Sequence, residues 1–432
     1  MKVLFIADNR NRPNWGCRAT SAALSRLLTC RHVISARISG ELTLDPGVFE
    51  LLFPELAAGR CPPQLCLRRR GWHARPGEDS ASVLADPERL MRRAIRRIRW
   101  LSRSRDPRMR RVASFNLELM DFEIAVINGE GTMIFSTPPR MDSIFYLMFV
   151  YWALRLGRRV FMVNAMFSDC PRSPRCQATV TAAAQLLGRS AAVCARDPRS
   201  RIYAERVLGL RQCICIPDAL FTWLDKVEMQ WTPLNSRLLA SFGGEDDAAL
   251  QGCDLRGGYV CLSASSSAAW RPQQAVVAYA ALIRQLRLRL GVPLLVVQTC
   301  GGESFLRESA RAGGGVFVDA RLPIMQGLNL LAHARLYISG RWHPGIMAAL
   351  GGTPCIFMRA NSHKCRALQE QLGSAEPMEF PDIPDQAAIS AICKRALQVL
   401  NADTVQRREQ RRETAQALAR QAQALAELLE SR

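Results

Sequence analysis

An arginine and a histidine stand two positions apart in the segment Gly340-Arg341-Trp342-His343-Pro344. A guanidinium group can donate two parallel hydrogen bonds to a carboxylate or phosphate, and a histidine can transfer a proton near neutral pH. The pair therefore predicts an anion site with a proton source beside it. An Arg paired with a carboxylate and a His that caps a helix is the alternative that spacing alone leaves open.

Two carboxylates stand where they could accept a proton from a hydroxyl group. Glu130 lies between Gly129 and Gly131, and Asp218 lies in Pro217-Asp218-Ala219 after another apolar run. Glycines let the backbone approach a ligand closely, so Gly129 and Gly131 could cradle a substrate while Glu130 or Asp218 acts as a base. The alternative for Glu130 is that it caps a helix that follows.

Two more cations follow apolar runs. Arg196 stands in Ala195-Arg196-Asp197-Pro198, and Lys364 ends Ser362-His363-Lys364. Both are predicted as further contacts for an anionic substrate. A pair of Arg196 with Asp197 or Glu205 is the structural alternative.

The polar loop from Asp8 to Thr20 precedes a stretch, Ala19 to Leu28, that reads as a helix. A loop at a helix N-terminus can present backbone N–H groups to a ligand, so Asn14 and Gly16 are candidates for substrate binding. The loop lacks the GxGxxG pattern of dinucleotide sites. A turn made by Asn14 and Gly16 for structural reasons is equally compatible.

Strands and helices must alternate to position these residues. Apolar runs typical of buried strands recur between helical stretches along the chain, which predicts parallel sheets with crossover helices. The runs are Val3–Ala7, Ile124–Asn128, Val160–Asn164, Ala191–Ala195, Tyr259–Ser263, Leu294–Gln298, Val316–Asp319, Leu336–Ser339 and Pro354–Met358.

We therefore expect an α/β protein with two Rossmann-like domains facing a cleft, in a GT-B-like arrangement, plus a C-terminal helix. The predicted segments are 1–240 on the acceptor side, with an Arg-rich insert at about 60–112, then 255–400 on the donor side and 401–432 as the helix.

Cysteine usage and hydropathy bound the class of protein. Fifteen Cys without a CxxC pair indicate neither a disulfide framework nor a zinc site, so no metal is expected. The longest apolar stretch, Ile144–Leu154, is about half a bilayer span and predicts a buried helix. The N-terminus runs from Met1 into Val3–Ala7 without a signal peptide, so we expect a cytoplasmic protein, with the inner face of the membrane as one location.

Net charge is +20, and basic residues concentrate in the segment 92–111. Such charge favours an acidic small molecule, an anionic glycan or an anionic membrane surface as partner, while specific nucleic-acid binding is not expected. A solvated helix face is the alternative for the segment.

The order of the motifs resembles the polysaccharide pyruvyl transferase family from about Lys2 to Gly373. The motifs are NWG near the start, then NGEGT, ARDPxS, PDA, SGRWHPxxxAALGGTP and SHKxxxLxxxLG. The resemblance implies an enzyme of polysaccharide biosynthesis, for an exopolysaccharide or the cell envelope. It would transfer a pyruvyl group from phosphoenolpyruvate to sugar hydroxyls and form a ketal with loss of phosphate, without a cofactor.

In that family's pattern, Arg341 and His343 match the donor-binding Arg and His. We expect His343 to protonate the donor's methylene carbon, and Glu130 or Asp218 to deprotonate a hydroxyl of a sugar or lipid-linked glycan. Two alternatives stay open: a GT-B glycosyltransferase that uses a nucleotide sugar, and a non-catalytic glycan-binding relative.

Overall fold

The computed structural model describes residues 1–38, 103, 105, 122–231, 253–255 and 257–430. The Arg-rich insert at 60–112, including the segment 92–111 except Arg103 and Arg105, lies outside the described residues. So does most of the predicted boundary between 240 and 255.

The chain forms two compact units. The first contains Met1–Arg10, Leu24–Ile216 and Ala424–Arg432, and the second contains Asn11–Ala23 and Pro217–Gln423. Each unit is therefore built from separate stretches of the chain, whereas the sequence predicts continuous segments.

The first unit contains a six-stranded sheet in the order β2-β1-β3-β4-β5-β6. Every neighbouring pair of its strands is parallel. The strands are β1 (Lys2–Ile6), β2 (Val33–Ile38), β3 (Ile124–Phe135), β4 (Arg159–Asp169), β5 (Ala192–Ala195) and β6 (Ile214–Cys215).

Helices cover this sheet because its central strands are apolar on both faces. Met141–Arg155, Gln177–Leu187 and Pro198–Val207 pack on it, and the second half of Trp15–Thr29 and the helix Ala424–Leu428 also belong to this unit. The predicted buried helix at Ile144–Leu154 lies inside Met141–Arg155, and its described apolar side chains join the core with those of β3 and β4.

The second unit contains a sheet in the order β12-β11-β10-β7-β8-β9, also parallel throughout. The strands are β7 (Val260–Ser265), β8 (Leu294–Val297), β9 (Val316–Val318), β10 (Leu336–Gly340), β11 (Cys355–Met358) and β12 (Glu379–Phe380). This is the strand order of a doubly wound dinucleotide-binding domain. Successive strands are added outward from β7 to one edge of the sheet and then outward from β10 to the other edge. We call the carboxyl ends of the neighbouring strands β7 and β10 the reversal point.

Seven α-helices lie in this unit among the described residues, besides the first half of Trp15–Thr29. They are Pro272–Leu290, Phe305–Gly313, Ile324–Ala332, Trp342–Leu350, Lys364–Gln371, Gln386–Ala402 and Val405–Ala422. A 3-10 helix, Ala219–Lys226, follows β6 along the chain.

The structure differs from the sequence prediction in which strands exist and in where elements begin and end. Strands β2, β6 and β12 were not among the predicted apolar runs, since most of their residues are only partly buried or exposed. Strand β3 does not end at Asn128 but continues to Phe135. The helix after β10 begins at Trp342, and His343 lies in its first turn.

The C-terminal stretch forms more than the single helix predicted at 401–432. Val405–Ala422 is followed by Ala424–Leu428, and the apolar residues spaced along them are buried: Ala415, Leu418, Ala422, Leu425 and Leu428. Within the described residues, no helix combines the length and apolar character that crossing a membrane requires.

Candidate functional site

The second unit carries a candidate site at the reversal point of its sheet. Gly340 ends β10 and pairs with Ser265 at the end of β7. A Cβ on Gly340 would lie 2.7 Å from the Ser265 Cα, so close packing of the two strand ends requires glycine there. Ligands of such sheets bind outside the carboxyl ends of the strands at this point.

His343 contacts a buried carboxylate. Its Nε2 lies 3.2 Å from Oδ2 of Asp218, and the His side chain is 11% exposed. Because the carboxylate can only accept, this pair is made when Nε2 carries the proton. Asp218 thereby fixes both the orientation and the tautomer of the ring.

Asp218 also accepts three further hydrogen bonds. Oδ1 accepts from the Thr20 hydroxyl at 2.9 Å and from the Leu220 N–H at 3.0 Å, and Oδ2 accepts from Trp342 Nε1 at 2.9 Å. Donors on both oxygens favour the charged form and weaken a carboxylate as a proton acceptor. This geometry supports a positioning role for Asp218 more than the predicted role of base.

The N-terminal loop lies against His343. A Cβ on Gly16 would come 2.8 Å from the His343 Cβ, and the ring leaves no room for a side chain. Asn14 accepts a hydrogen bond from the Cys17 N–H at 3.2 Å, at the start of the helix Trp15–Thr29. The Asn14 side chain thus stabilises the first turn of this helix, and Gly16 packs directly against the His343 side chain.

Trp15 anchors this loop to the second unit. Its Nε1 donates to the Ala320 carbonyl at 2.8 Å, and its N–H donates to the Thr299 carbonyl at 2.9 Å. A Cβ on Gly327 would lie within 3 Å of the Trp15 ring, at 2.8 Å from Cζ3. The NWG motif is therefore a packing element that brings Gly16 to His343.

Arg341 is paired with a carboxylate that sequence reasoning missed. Its Nε donates to Oε1 of Glu303 at 2.6 Å, and its Nη2 contacts the Cys300 sulfur at 3.0 Å. The Arg341 side chain is 14% exposed and that of Glu303 is fully buried. Glu303 stands in Gly301-Gly302-Glu303-Ser304, where no spacing rule connects it to Arg341.

The charges around Arg341 set two pKa values. Burial lowers the Arg341 pKa, but the charge and hydrogen bond of Glu303, together with smaller effects of Cys300 and Tyr337, raise it, and the net pKa lies above the ordinary value. Burial, helped by Glu303, raises the pKa of the Cys300 thiol. Arg341 is therefore a permanent cation, and Cys300 is a neutral thiol rather than a nucleophile.

Lys364 begins the helix after β11, the strand next to β10. Its Nζ donates to Oδ1 of Asn361 at 2.8 Å, and the Ser266 hydroxyl contacts the same oxygen at 3.2 Å. Ser266 follows β7, so residues after β7 and β11, the two strands on either side of β10, meet here. Lys364 and Arg341 therefore both lie beyond the carboxyl ends of neighbouring strands of this sheet.

Glu130 belongs to the first unit and is 4% exposed. Its Oε1 accepts from the Asn9 amide at 2.9 Å and from the Asn128 amide at 3.0 Å. The alternative that Glu130 caps a helix is wrong, because β3 continues to Phe135 and the next helix begins at Met141.

The backbone around Glu130 is strained. Glu130 has a φ of 41°, Ala7 after β1 has 64° and Asn164 in β4 has 55°. Asn128 joins them, donating to the Ala7 carbonyl at 3.5 Å and accepting from the Asn164 amide at 3.1 Å. Strained residues on adjacent strands that share one polar network are typical of functional sites.

The glycines beside Glu130 differ in their surroundings. A Cβ on Gly129 would lie 2.5 Å from the Ala165 Cβ, so strand packing accounts for this glycine. A Cβ on Gly131 would meet Arg196 Nη2 at 3.8 Å, an ordinary contact. Only Gly129 is required by packing.

Arg196 is 1% exposed, and its Nη2 contacts the Met166 sulfur at 3.6 Å. Of its predicted structural partners, Asp197 caps the helix Pro198–Val207 by accepting from the Ser200 N–H at 2.8 Å. Glu205 pairs with Arg201 at 3.5 Å. Burial of this degree favours a structural Arg196.

The predicted site residues thus divide between the units. The second unit holds Asn14, Gly16, Asp218, Arg341, His343 and Lys364, and the first holds Gly129, Glu130, Gly131 and Arg196. Among the described residues, no group of three His, Cys, Asp or Glu side chains could hold a metal ion.

Family comparison agrees with the motifs. The family model for polysaccharide pyruvyl transferase matches residues 92–362, which is more than half of the chain. The chain therefore belongs to the polysaccharide pyruvyl transferase family and is a transferase. Among curated proteins, no match was found.

Solved structures show a similar fold at low sequence identity. The UDP-GlcNAc 2-epimerase from Neisseria meningitidis bound to UDP-GlcNAc matches with a TM-score of 0.53 and 9% identity, over 100% of this chain and 98% of that one. A putative UDP-N-acetylglucosamine 2-epimerase from Listeria monocytogenes matches with a TM-score of 0.51 and 13% identity, over 99% and 94%. These neighbours establish a GT-B-like α/β fold.

Proposed function

We propose that this enzyme moves a pyruvyl group from phosphoenolpyruvate to sugar hydroxyls of a polysaccharide or its precursor. The product is a pyruvate ketal, and phosphate is released. The observation that carries the proposal is the placement of Arg341 and His343 at the reversal point of the second sheet, with His343 held by Asp218. Family membership supports it.

The donor carries a carboxylate and a phosphate on one small molecule. Arg341 supplies planar N–H donors suited to a carboxylate or phosphate. Lys364 supplies a second cation beyond the carboxyl ends of the same strands. The near-complete burial of Arg196 makes it a weaker candidate for direct contact with the donor.

The reaction begins with a proton transfer from protonated His343 to the methylene carbon of the donor. The double bond becomes a methyl group, and C2 becomes electrophilic. A sugar hydroxyl then forms a bond to C2 and gives its proton to a base. A second hydroxyl of the same sugar forms the other C–O bond and gives its proton to the departing phosphate, while the C2–O bond to phosphate breaks and phosphate leaves.

Glu130 is our proposal for the base, with Asp218 in the positioning role described above. Asn9 and Asn128 hold one oxygen of Glu130 by amide donors, which orients the carboxylate. The acceptor in this proposal is a sugar or a lipid-linked glycan.

The test is thermal unfolding with phosphoenolpyruvate and with a panel of UDP-sugars, since a ligand that binds the native state raises the unfolding temperature. We expect stabilisation by phosphoenolpyruvate, with phosphate released only when a suitable acceptor is present. Arg341→Ala should lower kcat/KM, and the decrease should correspond to a loss of about 2–4 kcal/mol of transition-state stabilisation.

Other outcomes point elsewhere. Stabilisation by UDP-sugars alone would favour the alternative of a glycosyltransferase that uses a nucleotide sugar. Glycan binding without stabilisation by any donor would favour a non-catalytic relative. Full activity of Arg341→Ala would overturn the proposed donor site.

A further inference from the structure

Glu303 is a buried carboxylate with donors on both oxygens. Oε2 accepts from the Thr299 N–H at 2.7 Å, the Thr299 hydroxyl at 2.9 Å and the Cys300 N–H at 3.1 Å. Oε1 accepts from Arg341 Nε at 2.6 Å. Three donors from the loop after β8 thus fix the carboxylate, and the other oxygen is directed at Arg341.

The contacts occupy one edge of the Arg341 guanidinium. Nε and Nη2 form that edge, and they meet Glu303 and the Cys300 sulfur. A guanidinium held by this edge has its plane defined, and the adjacent end-on edge, formed by Nη1 and the other N–H of Nη2, can bind a planar carboxylate in a bidentate way.

The loop that carries Glu303 is itself anchored by the N-terminal segment. The Gly301 N–H donates to the Pro13 carbonyl at 2.9 Å, and Asn14 forms an antiparallel bridge with Cys300. The same segment places Gly16 against His343. Arg341 and His343 are therefore both positioned from one stretch, residues 13–16.

We propose that Glu303 is a positioning residue that fixes the plane of the Arg341 guanidinium, so that its Nη1–Nη2 edge receives the carboxylate of the donor. The inference rests on the proposed function. A buried ion pair that only stabilises the fold is the competing explanation, since breaking such a pair is costly wherever it lies.

The central experiment is a double-mutant cycle in kcat/KM with Glu303→Gln and Arg341→Gln. Each single variant should lose at least about tenfold. If Glu303 acts through Arg341, the double variant should lie within about twofold of Arg341→Gln alone. Losses that multiply in the double variant would overturn the proposal.

Thr299→Val is a milder second variant in case Glu303→Gln does not fold. It removes the hydroxyl that holds Oε2 of Glu303, and we expect kcat/KM to fall several-fold with Thr299→Ser restoring it. Thr353→Val is the matched control. It removes another buried hydroxyl, which donates to the Ala332 carbonyl at 2.8 Å, and should lower the unfolding temperature without loss of kcat/KM.

Wild-type kcat/KM in Thr299→Val together with a lower unfolding temperature would show a purely structural role for Glu303. A donor-independent readout separates this outcome from failure of the proposed function. Arginine-labelled protein should give an Nε–H resonance, absent in Arg341→Lys, that exchanges slowly with water in the wild type and rapidly in Thr299→Val. Slow exchange in both proteins would refute the positioning role, whether or not phosphoenolpyruvate is the donor.

Discussion

At the scale of single residues, the two members of the Arg341 and His343 pair have different partners. Arg341 contacts Glu303, a carboxylate that offsets its charge and orients it. His343 contacts Asp218, which fixes the ring through one nitrogen. A cation held in one plane suits binding, and a ring held in one tautomer suits proton transfer.

His343→Gln should separate these two roles. Gln retains hydrogen bonding but cannot deliver a proton, so we expect donor binding to stay within a few-fold of wild type while kcat falls by about 10²–10⁴-fold. Calorimetric titration with phosphoenolpyruvate and phosphate-release assays measure the two quantities. A collapse of donor affinity with unchanged kcat would make His343 a binding group.

Asp169 predicts a pH dependence of stability. Hydrogen bonds from Arg175 chiefly, and from Tyr203, hold the pKa of Asp169 below its ordinary value. A carboxyl group whose folded pKa is depressed stabilises the fold above its unfolded pKa, about 3.9, and loses this contribution as pH falls through the folded pKa.

Asp169→Asn should therefore lower the unfolding temperature at pH 6 to 7, and the gap to wild type should shrink as pH falls below about 4. Thermal unfolding across this range checks it. Asp225→Asn is the matched control, since the Asp225 side chain pairs with its neighbour Lys226 at the surface. A gap that stays constant with pH would contradict the assignment.

At the scale of elements, the helix Trp15–Thr29 has an unusual position. Its first residues, through Ala23, belong to the second unit, and its remainder belongs to the first. Within the second unit it supplies Gly16 to His343 and the Thr20 hydroxyl to Asp218. This segment is therefore a structural part of the candidate donor site despite its distance in sequence.

Gly16→Ala tests this element. The added Cβ would overlap the His343 ring, so the ring or the helix must shift, and we expect kcat to fall by at least about tenfold because misplacement of a reacting group is costly. Gly257→Ala is the control, since nothing lies within 4 Å of a Cβ there. Wild-type kcat in Gly16→Ala would show that the packing against His343 does not matter for turnover.

Most strands could be predicted, because a strand buried on both faces has a run of apolar residues. Each of the nine predicted runs coincides with an observed strand to within a few residues, apart from the longer β3 and β4. Strands β2, β6 and β12 could not be predicted, since they are identified by pairing with a neighbour and not by composition.

At the scale of the whole molecule, the chain carries a net charge of +20, with ten Arg concentrated in the segment 92–111. Much of that segment lies outside the described residues. Excess basic charge attracts anionic surfaces and polyanions through long-range electrostatics that salt screens.

We expect this charge to bind the protein to vesicles with anionic lipids, more weakly as salt rises. Arg96→Glu with Arg97→Glu should reduce the bound fraction severalfold, as each basic residue near such a surface contributes about 1 kcal/mol. Co-sedimentation measures the bound fraction. Arg284→Glu with Arg311→Glu gives a control of equal charge change, and equal loss in both pairs would mean that net charge alone is responsible.

The sequence by itself determined the fold class, the family and the identity of Arg341 and His343 as a pair. Strand periodicity and motif order are local properties that survive without knowledge of contacts. Sequence could not decide what surrounds the pair. Glu303 and Asp218 lie 38 and 125 positions from their partners, and only the order of strands in the second sheet and the anchoring of residues 11–23 bring them into contact. Tertiary structure thus turned an anion site with an open structural alternative into an arginine held by one carboxylate and a histidine held by another.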